Sequence, residues 1–195
     1  MADPFSRIAR YYDRLFGLPD VPALRRLLAL PAGGQLLDLG GGTGRISRHV
    51  PCAHVVVCDA AAGMVAQARL KGLGACQGAA ERLPFADGTY DGILVVDAFH
   101  HFCDQQPALR EMLRVLQPAG RLVIVEPDIR RPLMPLLSWG ERRLGLSSTM
   151  LPPALLGQML AAAGGEVLAV EEGPFSYRLA ARPAAIEPGL AVSGA

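Results

Sequence analysis

Short apolar runs alternate with segments of helical periodicity along the middle of the chain, between residues 35 and 126. The apolar runs predict strands over residues 36–39, 54–58, 74–77, 90–97 and 121–126. The segments between them predict helices over residues 44–50, 61–70 and 105–116. This alternation is typical of β-α-β units on a parallel sheet. Two further helices (132–146 and 153–163) and an antiparallel strand pair (166–170 and 175–181) are expected after it.

The length of 195 residues predicts a single domain with one core. We expect this domain to span residues 1–182, divided into N-terminal cap helices (1–34), a cofactor-binding core (35–127), a substrate-covering insert (128–165) and a terminal strand pair (166–182). The remaining residues, 183–195, are rich in Pro, Ala and Gly and predict a flexible tail.

Composition narrows the class of partner. The net charge is +1, so no overall field would recruit nucleic acid. The four cysteines show neither C-x-x-C spacing nor a histidine at zinc-ligand distance, which predicts reduced thiols, no metal site and a cytoplasmic location. The most apolar uncharged stretch, residues 144–165, is interrupted by prolines and serines, so we expect no membrane span.

The most informative segment is LLDLGGGTG at residues 36–44, where a predicted strand runs into a glycine turn. Asp38 places a carboxylate beside Gly40, Gly41, Gly42 and Gly44, and a turn with so few side chains lets a ligand lie against the backbone. The spacing is not the dinucleotide fingerprint G-x-G-x-x-G, which favours a cofactor without a pyrophosphate. The alternative is an ordinary strand-helix turn.

A second carboxylate, Asp59, ends the next predicted strand, 19 residues after Gly40. Ligands of open α/β sheets lie at the carboxyl ends of the strands, so Asp59 is expected to accept both hydroxyls of a ribose, with Ala60 beside it. The alternative is a cap of the following helix. Met64 is expected to pack on an adenine face or, equally, in the core.

Two further segments carry a family resemblance: GAAERLPFADGTYD at residues 78–91 and LRVLQPAGRL at residues 113–122. With the glycine turn they resemble the type 11 family of class I S-adenosylmethionine-dependent methyltransferases, over about residues 35–127. The resemblance implies an α/β, Rossmann-like fold with a seven-stranded, mostly parallel sheet and helices on both faces. It also implies S-adenosylmethionine as cofactor, with the glycine turn under its methionine part.

The resemblance places further residues around the cofactor. The family's usual acid for the adenine amino group is Ala79 here, so backbone groups of Ala79 and Ala80, with Glu81 nearby, are expected to hold the adenine. Asp97 ends the fourth predicted strand beside the expected position of the sulfonium. After it come His100 and His101, candidate general bases because imidazole titrates near neutral pH. The alternative is that both histidines pack the cofactor and cap a helix.

The N-terminal segment YYDRL, residues 11–15, resembles the "YD" segment of quinone and phospholipid methyltransferases, in which Tyr12 would close over the cofactor. An amphipathic first helix is the alternative.

Residues 132–157 would form either an apolar lid or interfacial helix, or a core helix flanked by arginines. We therefore expect methyl transfer to a small lipophilic acceptor, a quinone or a phospholipid amine, with peripheral membrane contact. Alternatives are a water-soluble acceptor, cofactor binding without catalysis, and a nicotinamide oxidoreductase, which the missing fingerprint disfavours.

Overall fold

A computed structural model describes residues 4–15, 19–51, 54–143, 146 and 148–185. Its helices are α1 (Pro4–Ile8), α2 (Tyr12–Leu15), α3 (Val21–Leu28), α4 (Ala62–Leu70), α5 (Gln105–Val115), α6 (Met134–Arg143) and α7 (Pro153–Ala162). Its strands are β1 (Gln35–Leu39), β2 (His54–Asp59), β3 (Gly74–Gln77), β4 (Tyr90–Val96), β5 (Leu116–Pro127), β6 (Gly165–Glu172) and β7 (Ser176–Pro183). Two short 3-10 helices cover Ser47–His49 and Phe99–His101.

The strands form one seven-stranded sheet in the order β3-β2-β1-β4-β5-β7-β6. Strands β1 to β5 pair in parallel, and β7 pairs antiparallel with both β5 and β6. The predicted fold class is therefore confirmed, and β7 is the strand that runs against its neighbours. The order reverses at β1 and β4, and ligands of open α/β sheets bind at this kind of switch point.

Helices cover both faces of the sheet. Successive residues of a strand point to opposite faces, so neighbouring side chains pack against different helices. Leu37 of β1 packs with α5 and α7 in one core cluster, through Leu109 and Leu156. Its neighbour Leu36 faces the other side and packs with α3, through Leu24. Strand residues buried on both faces explain why β1 and β4 are apolar almost throughout.

The helix predicted over residues 44–50 is wrong. The structure has turns there, followed by the 3-10 helix Ser47–His49. Gly40, Gly42 and Gly44 all have positive φ, between 57° and 68°, so the right-handed helical conformation cannot begin before residue 45. Pro51 follows only six residues later, and this short segment forms the 3-10 helix instead.

Two boundaries differ from prediction near the ends of the sheet. Leu116, predicted as the last residue of a helix, starts β5 and pairs with Tyr90 ahead of a register shift. Pro183, predicted in the tail, belongs to β7, and the Ala184 N–H donates to the Gly164 carbonyl at 2.8 Å. Residues 186–195 lie outside the described part of the chain.

Helix α6 is not the core helix that one interpretation of the sequence predicted. Ser138 is its buried residue, whereas the apolar Leu136, Leu137 and Trp139 are 61%, 46% and 52% exposed. Leu133, just before the helix, is 69% exposed. Among the described residues, no helix has the length and apolar character needed to cross a membrane.

Candidate functional site

A cavity of about 210 Å³ opens at the carboxyl ends of β1, β2 and β4. A bound water needs only about 10–15 Å³ of such space, so the cavity is of ligand size. Its lining includes most of the predicted site residues: Tyr12, Asp38, Gly40, Gly41, Gly42, Asp59, Ala60, Met64, Asp97 and His101. Phe5, Arg45, Ile46, Ala61, Val96, Ala98 and Phe102 complete it. The predicted residues Gly44, Ala79, Ala80, Glu81 and His100 lie outside this lining.

The glycine turn is shaped by close packing. The Gly40 N–H donates to the Cys58 carbonyl at 2.7 Å. A Cβ on Gly41 would lie 2.2 Å from Cγ of Asp38, and a Cβ on Gly44 would lie 2.1 Å from Cδ1 of Leu73. Gly44 therefore packs the turn against the protein, away from the cavity. Gly42 differs, since a Cβ there would meet only the Met64 sulfur, at 3.5 Å, and this side of the turn stays open.

Asp38 is a buried carboxylate at the floor of the cavity, with 2% of its surface exposed. Its Oδ2 has no hydrogen-bond partner among the residues that the structure describes. Burial raises the pKa of Asp38 to about 6; the Ser47 hydroxyl opposes this shift, as Arg45 does, and the Asp59 carboxylate adds to it. Such a group favours a ligand that brings a hydrogen-bond donor or a positive charge, because either would compensate its lost hydration.

Asp59 connects the two loops that form the cavity wall. Its Oδ2 accepts the Gly42 N–H at 2.9 Å, and its Oδ1 accepts the Ala61 N–H at 2.8 Å. Ala61 is the N-cap residue of helix α4 and its own side chain makes no capping hydrogen bond, so Asp59 accepts an N–H at this helix start. These two hydrogen bonds fix the orientation of the Asp59 carboxylate in the cavity wall.

A third carboxylate, Asp97, directly follows β4 and has a φ of 50°, in the left-handed region that few residues other than glycine adopt. Its side chain is accessible from the cavity, yet desolvation by the surrounding protein raises its pKa to about 6, with Glu126 adding and His100 opposing. Arg45 is the guanidinium in the lining. Three carboxylates facing one guanidinium make the cavity electronegative above these pKa values.

The two histidines occupy different environments. His100 is buried, and its Nδ1 lies 2.6 Å from Oε2 of Glu126. Glu126 also accepts the backbone N–H groups of Ala98, Phe99 and His100. Burial lowers the pKa of His100, but Glu126 opposes this and the net pKa is raised. His101 instead lines the cavity.

The N-terminal segment is fastened over the cavity by polar contacts. Asp13 accepts from the Thr43 hydroxyl in the glycine turn and pairs with Lys71 after α4, each at 2.5 Å. Ser6 accepts the Gly63 N–H at 2.8 Å. These contacts hold Phe5 and Tyr12 against Ala9, Ala61 and Met64. Tyr12 is a predicted site residue, whereas the sequence gives no indication of the role of Asp13.

Residues 79–81 lie away from the cavity. Ala79 bridges to Arg82 in a tight turn, and Ala80 is buried in the core. Oε1 of Glu81 accepts the Asp104 N–H at 3.1 Å, ahead of helix α5. The adenine contact predicted for this segment stays a prediction. Phe5, Arg45 and Phe102, which sequence analysis missed, line the cavity because distant segments meet there.

Comparison with known proteins identifies the family. Residues 37–124 match the family model described as a methyltransferase domain. The ubiquinone/menaquinone biosynthesis C-methyltransferase UbiE of Hahella chejuensis is 35% identical over 179 residues, which cover 81% of this chain and 71% of that protein. The demethylmenaquinone methyltransferase of Thermus thermophilus is 39% identical over 140 residues, which cover 63% of each chain.

A solved S-adenosylmethionine-dependent methyltransferase from Thermotoga maritima has the same fold, with a TM-score of 0.73 at 20% identity over 92% of this chain and 97% of that one. The fold and the acidic cavity thus define a Rossmann-like, ligand-binding α/β domain. The chain belongs to the type 11 family of class I S-adenosylmethionine-dependent methyltransferases, and S-adenosylmethionine is its cofactor. It spans about six tenths of the length of the first curated relatives that it matches.

Proposed function

We propose that this protein methylates a small lipophilic acceptor, a quinol-like ring, in the cavity beside the glycine turn. The observation that carries this proposal is the buried Asp38, whose Oδ2 has no hydrogen-bond partner among the described residues. When bound, S-adenosylmethionine supplies an electrophilic methyl group on its sulfonium, which becomes a neutral thioether as the acceptor takes the methyl and releases a proton.

The residues present fit this cofactor in charge and in hydrogen bonding. Asp38 and Asp97 provide negative charge for a ligand that carries a sulfonium and an ammonium group. The open side of Gly42 leaves room against the backbone, and Asp59 presents a carboxylate in the cavity wall to the ribose hydroxyls. Arg45 offers a guanidinium to the ligand's carboxylate. Enclosure by the N-terminal segment would exclude water from these groups.

The acceptor proposal is supported by the relatives and by the aromatic wall of the cavity. One of the relatives above is named a demethylmenaquinone methyltransferase and the other a ubiquinone/menaquinone biosynthesis C-methyltransferase. Phe5 packs edge-on against His101, with ring centroids 5.1 Å apart, and Phe102 also lines the cavity. These side chains can hold a planar ring against the methyl donor. Such alignment alone can lower a barrier by about 7–11 kcal/mol.

Helix α6 supports a lipophilic acceptor from outside the cavity. Its exposed face carries Leu136, Leu137 and Trp139, and the Arg143 guanidinium lies 5.1 Å from the Trp139 ring centroid. An apolar face edged by aromatic and basic side chains is typical of helices that lie on a membrane surface. We include in the proposal that α6 contacts the membrane in which a quinol dissolves.

Methyl transfer is tested with methyl-tritiated S-adenosylmethionine and a chemically reduced, demethylated menaquinone in detergent. We expect label in the organic phase with the wild-type protein and with Glu166→Gln, an exposed control carboxylate, and little label with Asp38→Asn. Label that reaches only water-soluble compounds of a cell extract would refute the quinol. Cofactor binding by calorimetry without any labelled product would establish binding without catalysis.

Membrane contact is tested separately, by sedimentation with vesicles of phosphatidylglycerol and phosphatidylcholine. We expect the wild-type protein to sediment and the double variant Leu136→Ser, Trp139→Ser to stay in the supernatant. Leu70→Ser is the matched control, because Leu70 is 78% exposed but belongs to α4. Equal loss of sedimentation in the control would show that α6 has no special role.

A further inference from the structure

Three side chains with metal-binding atoms converge beside the cavity: His100, His101 and Glu141. One ligand atom from each lies within 4.8 Å of the other two. The histidines come from the second 3-10 helix, and Glu141 comes from α6, about 40 residues further along the chain. This separation explains why no ligand spacing is visible in the sequence.

Backbone contacts hold the two segments together. The Thr149 N–H donates to the carbonyl of His100 at 2.8 Å. The Gln105 side-chain amide donates both to the Phe99 carbonyl at 3.1 Å and to the Thr149 carbonyl at 2.9 Å. The residues after α6 are therefore attached directly to the 3-10 helix that carries both histidines. Convergence of the three side chains follows from this attachment.

The orientation of His100 matches that of a metal ligand. Glu126 accepts three backbone N–H groups and is a hydrogen-bond acceptor toward the ring, so Nδ1 of His100 is the nitrogen that donates to it. In the neutral imidazole, Nε2 then keeps its lone pair. A carboxylate that fixes the tautomer of an imidazole in this way is the usual outer partner of a metal-bound histidine.

Glu141 has an outer partner as well. Its Oε2 pairs with the hydroxyl of Ser148 at 2.7 Å, and Ser148 is buried. Oε1 is then the oxygen that can turn toward the histidines. Two of the three candidate ligands are thus positioned by a second residue, as the ligands of metal sites usually are.

We propose that His100, His101 and Glu141 form a binding site for a divalent transition metal of the zinc type. Two imidazoles and one carboxylate are a donor set of zinc sites, whereas Mg²⁺ and Ca²⁺ prefer oxygen ligands. Bonds of about 2.1 Å to a tetrahedral metal place the ligand atoms about 3.4 Å apart, so the three side chains close the site by approaching one another by up to about 1.4 Å. Three protein ligands leave a coordination position for water or a substrate oxygen. The site adjoins the cavity through His101.

The test uses the full chain, stripped of metal with a chelator and titrated with Co²⁺. We expect one Co²⁺ per chain with weak visible bands, displaced by Zn²⁺, which binds such ligands more tightly. Glu141→Gln should weaken Co²⁺ binding at least tenfold, and Ser148→Ala, which removes an outer partner, about tenfold. His54→Gln and Glu166→Gln are matched controls that should bind as the wild type does, because both side chains are exposed and lie on strands of the sheet.

Three results would overturn the proposal. The first is that wild-type protein binds neither Co²⁺ nor Zn²⁺. The second is a strong thiolate charge-transfer band, which would assign the metal to cysteines such as Cys58 and Cys76. The third is wild-type affinity in both Glu141→Gln and Ser148→Ala. Circular dichroism checks the fold of each variant, and if Glu141→Gln does not fold, Ser148→Ala decides. None of these readouts depends on methyl transfer.

Discussion

Replacing Asp38 by Asn should stabilise the ligand-free protein and weaken its affinity for S-adenosylmethionine. The side chain is buried, and its Oδ2 has no hydrogen-bond partner among the described residues. A charge held in this way opposes folding, because its hydration is lost without full replacement. Asn has nearly the same shape, so it removes the charge while keeping the packing against Gly41.

The magnitude follows from the pKa. Burial raises the pKa of Asp38 from 3.8 to about 6. One pKa unit corresponds to about 1.36 kcal/mol, so the ionised carboxylate costs at most about 3 kcal/mol of unfolding free energy. The folded state binds this proton more tightly than the unfolded state does. The cost is therefore complete above about pH 6 and disappears as the pH falls toward 4.

Urea unfolding of ligand-free wild type and Asp38→Asn at about pH 8 and about pH 5 measures this difference. We expect the variant to be the more stable protein at the higher pH, with the advantage shrinking at the lower pH. Calorimetry then measures the affinity of both proteins for S-adenosylmethionine. Loss of one hydrogen bond to a charged group, about 1.5–3 kcal/mol, corresponds to roughly 10–150-fold weaker binding of S-adenosylmethionine.

S-adenosylhomocysteine is the control ligand, because it lacks the sulfonium charge and should lose less affinity in Asp38→Asn. A variant that is less stable than the wild type at both pH values would refute this prediction, since the Ser47 hydroxyl would then stabilise the ionised carboxylate by more than its burial costs. Undiminished affinity for S-adenosylmethionine would refute the role of Asp38 in binding, whatever the stability result.

Three further changes test other parts of the site. Asp13→Asn removes the ion pair with Lys71. It should weaken cofactor binding several-fold, measured by calorimetry, and change the free energy of unfolding by less than about 1 kcal/mol, measured by urea unfolding. Gly41→Ala places a Cβ 2.2 Å from the Asp38 carboxylate and should destabilise the protein by about 1–3 kcal/mol in the same unfolding assay. His101→Ala should lower turnover more than it raises the cofactor dissociation constant, and equal losses would assign His101 to packing alone.

The sheet and the glycine turn could be predicted because their signals are local. Parallel strands covered on both faces are apolar along their length, and β1, β2 and β4 stand out for this reason. Asp38 and Asp59 end such strands, so the topology of an open α/β sheet brings them to one edge. The resemblance to a family then added the cofactor, which the apolar pattern alone does not specify.

Contacts between distant segments could not be predicted in the same way. Asp13 meets Lys71 across 58 positions of sequence, and Glu126 meets His100 across 26. Nothing in the local pattern of either partner indicates the other. Helix α6 shows the reverse problem, because its apolar residues suggested a core helix while the structure buries Ser138 and exposes Trp139.

The charge of the cavity connects binding to product release. Asp38, Asp59 and Asp97 face the single guanidinium of Arg45 in the lining, so the cavity favours a ligand with net positive charge. Methyl transfer removes the sulfonium charge. The product therefore compensates less of the hydration that these carboxylates lose on burial. Burial raises the pKa of Asp38 to about 6, so this carboxylate when ionised lowers the stability of the ligand-free protein. We therefore expect the protein to bind the charged donor more tightly than its neutral product.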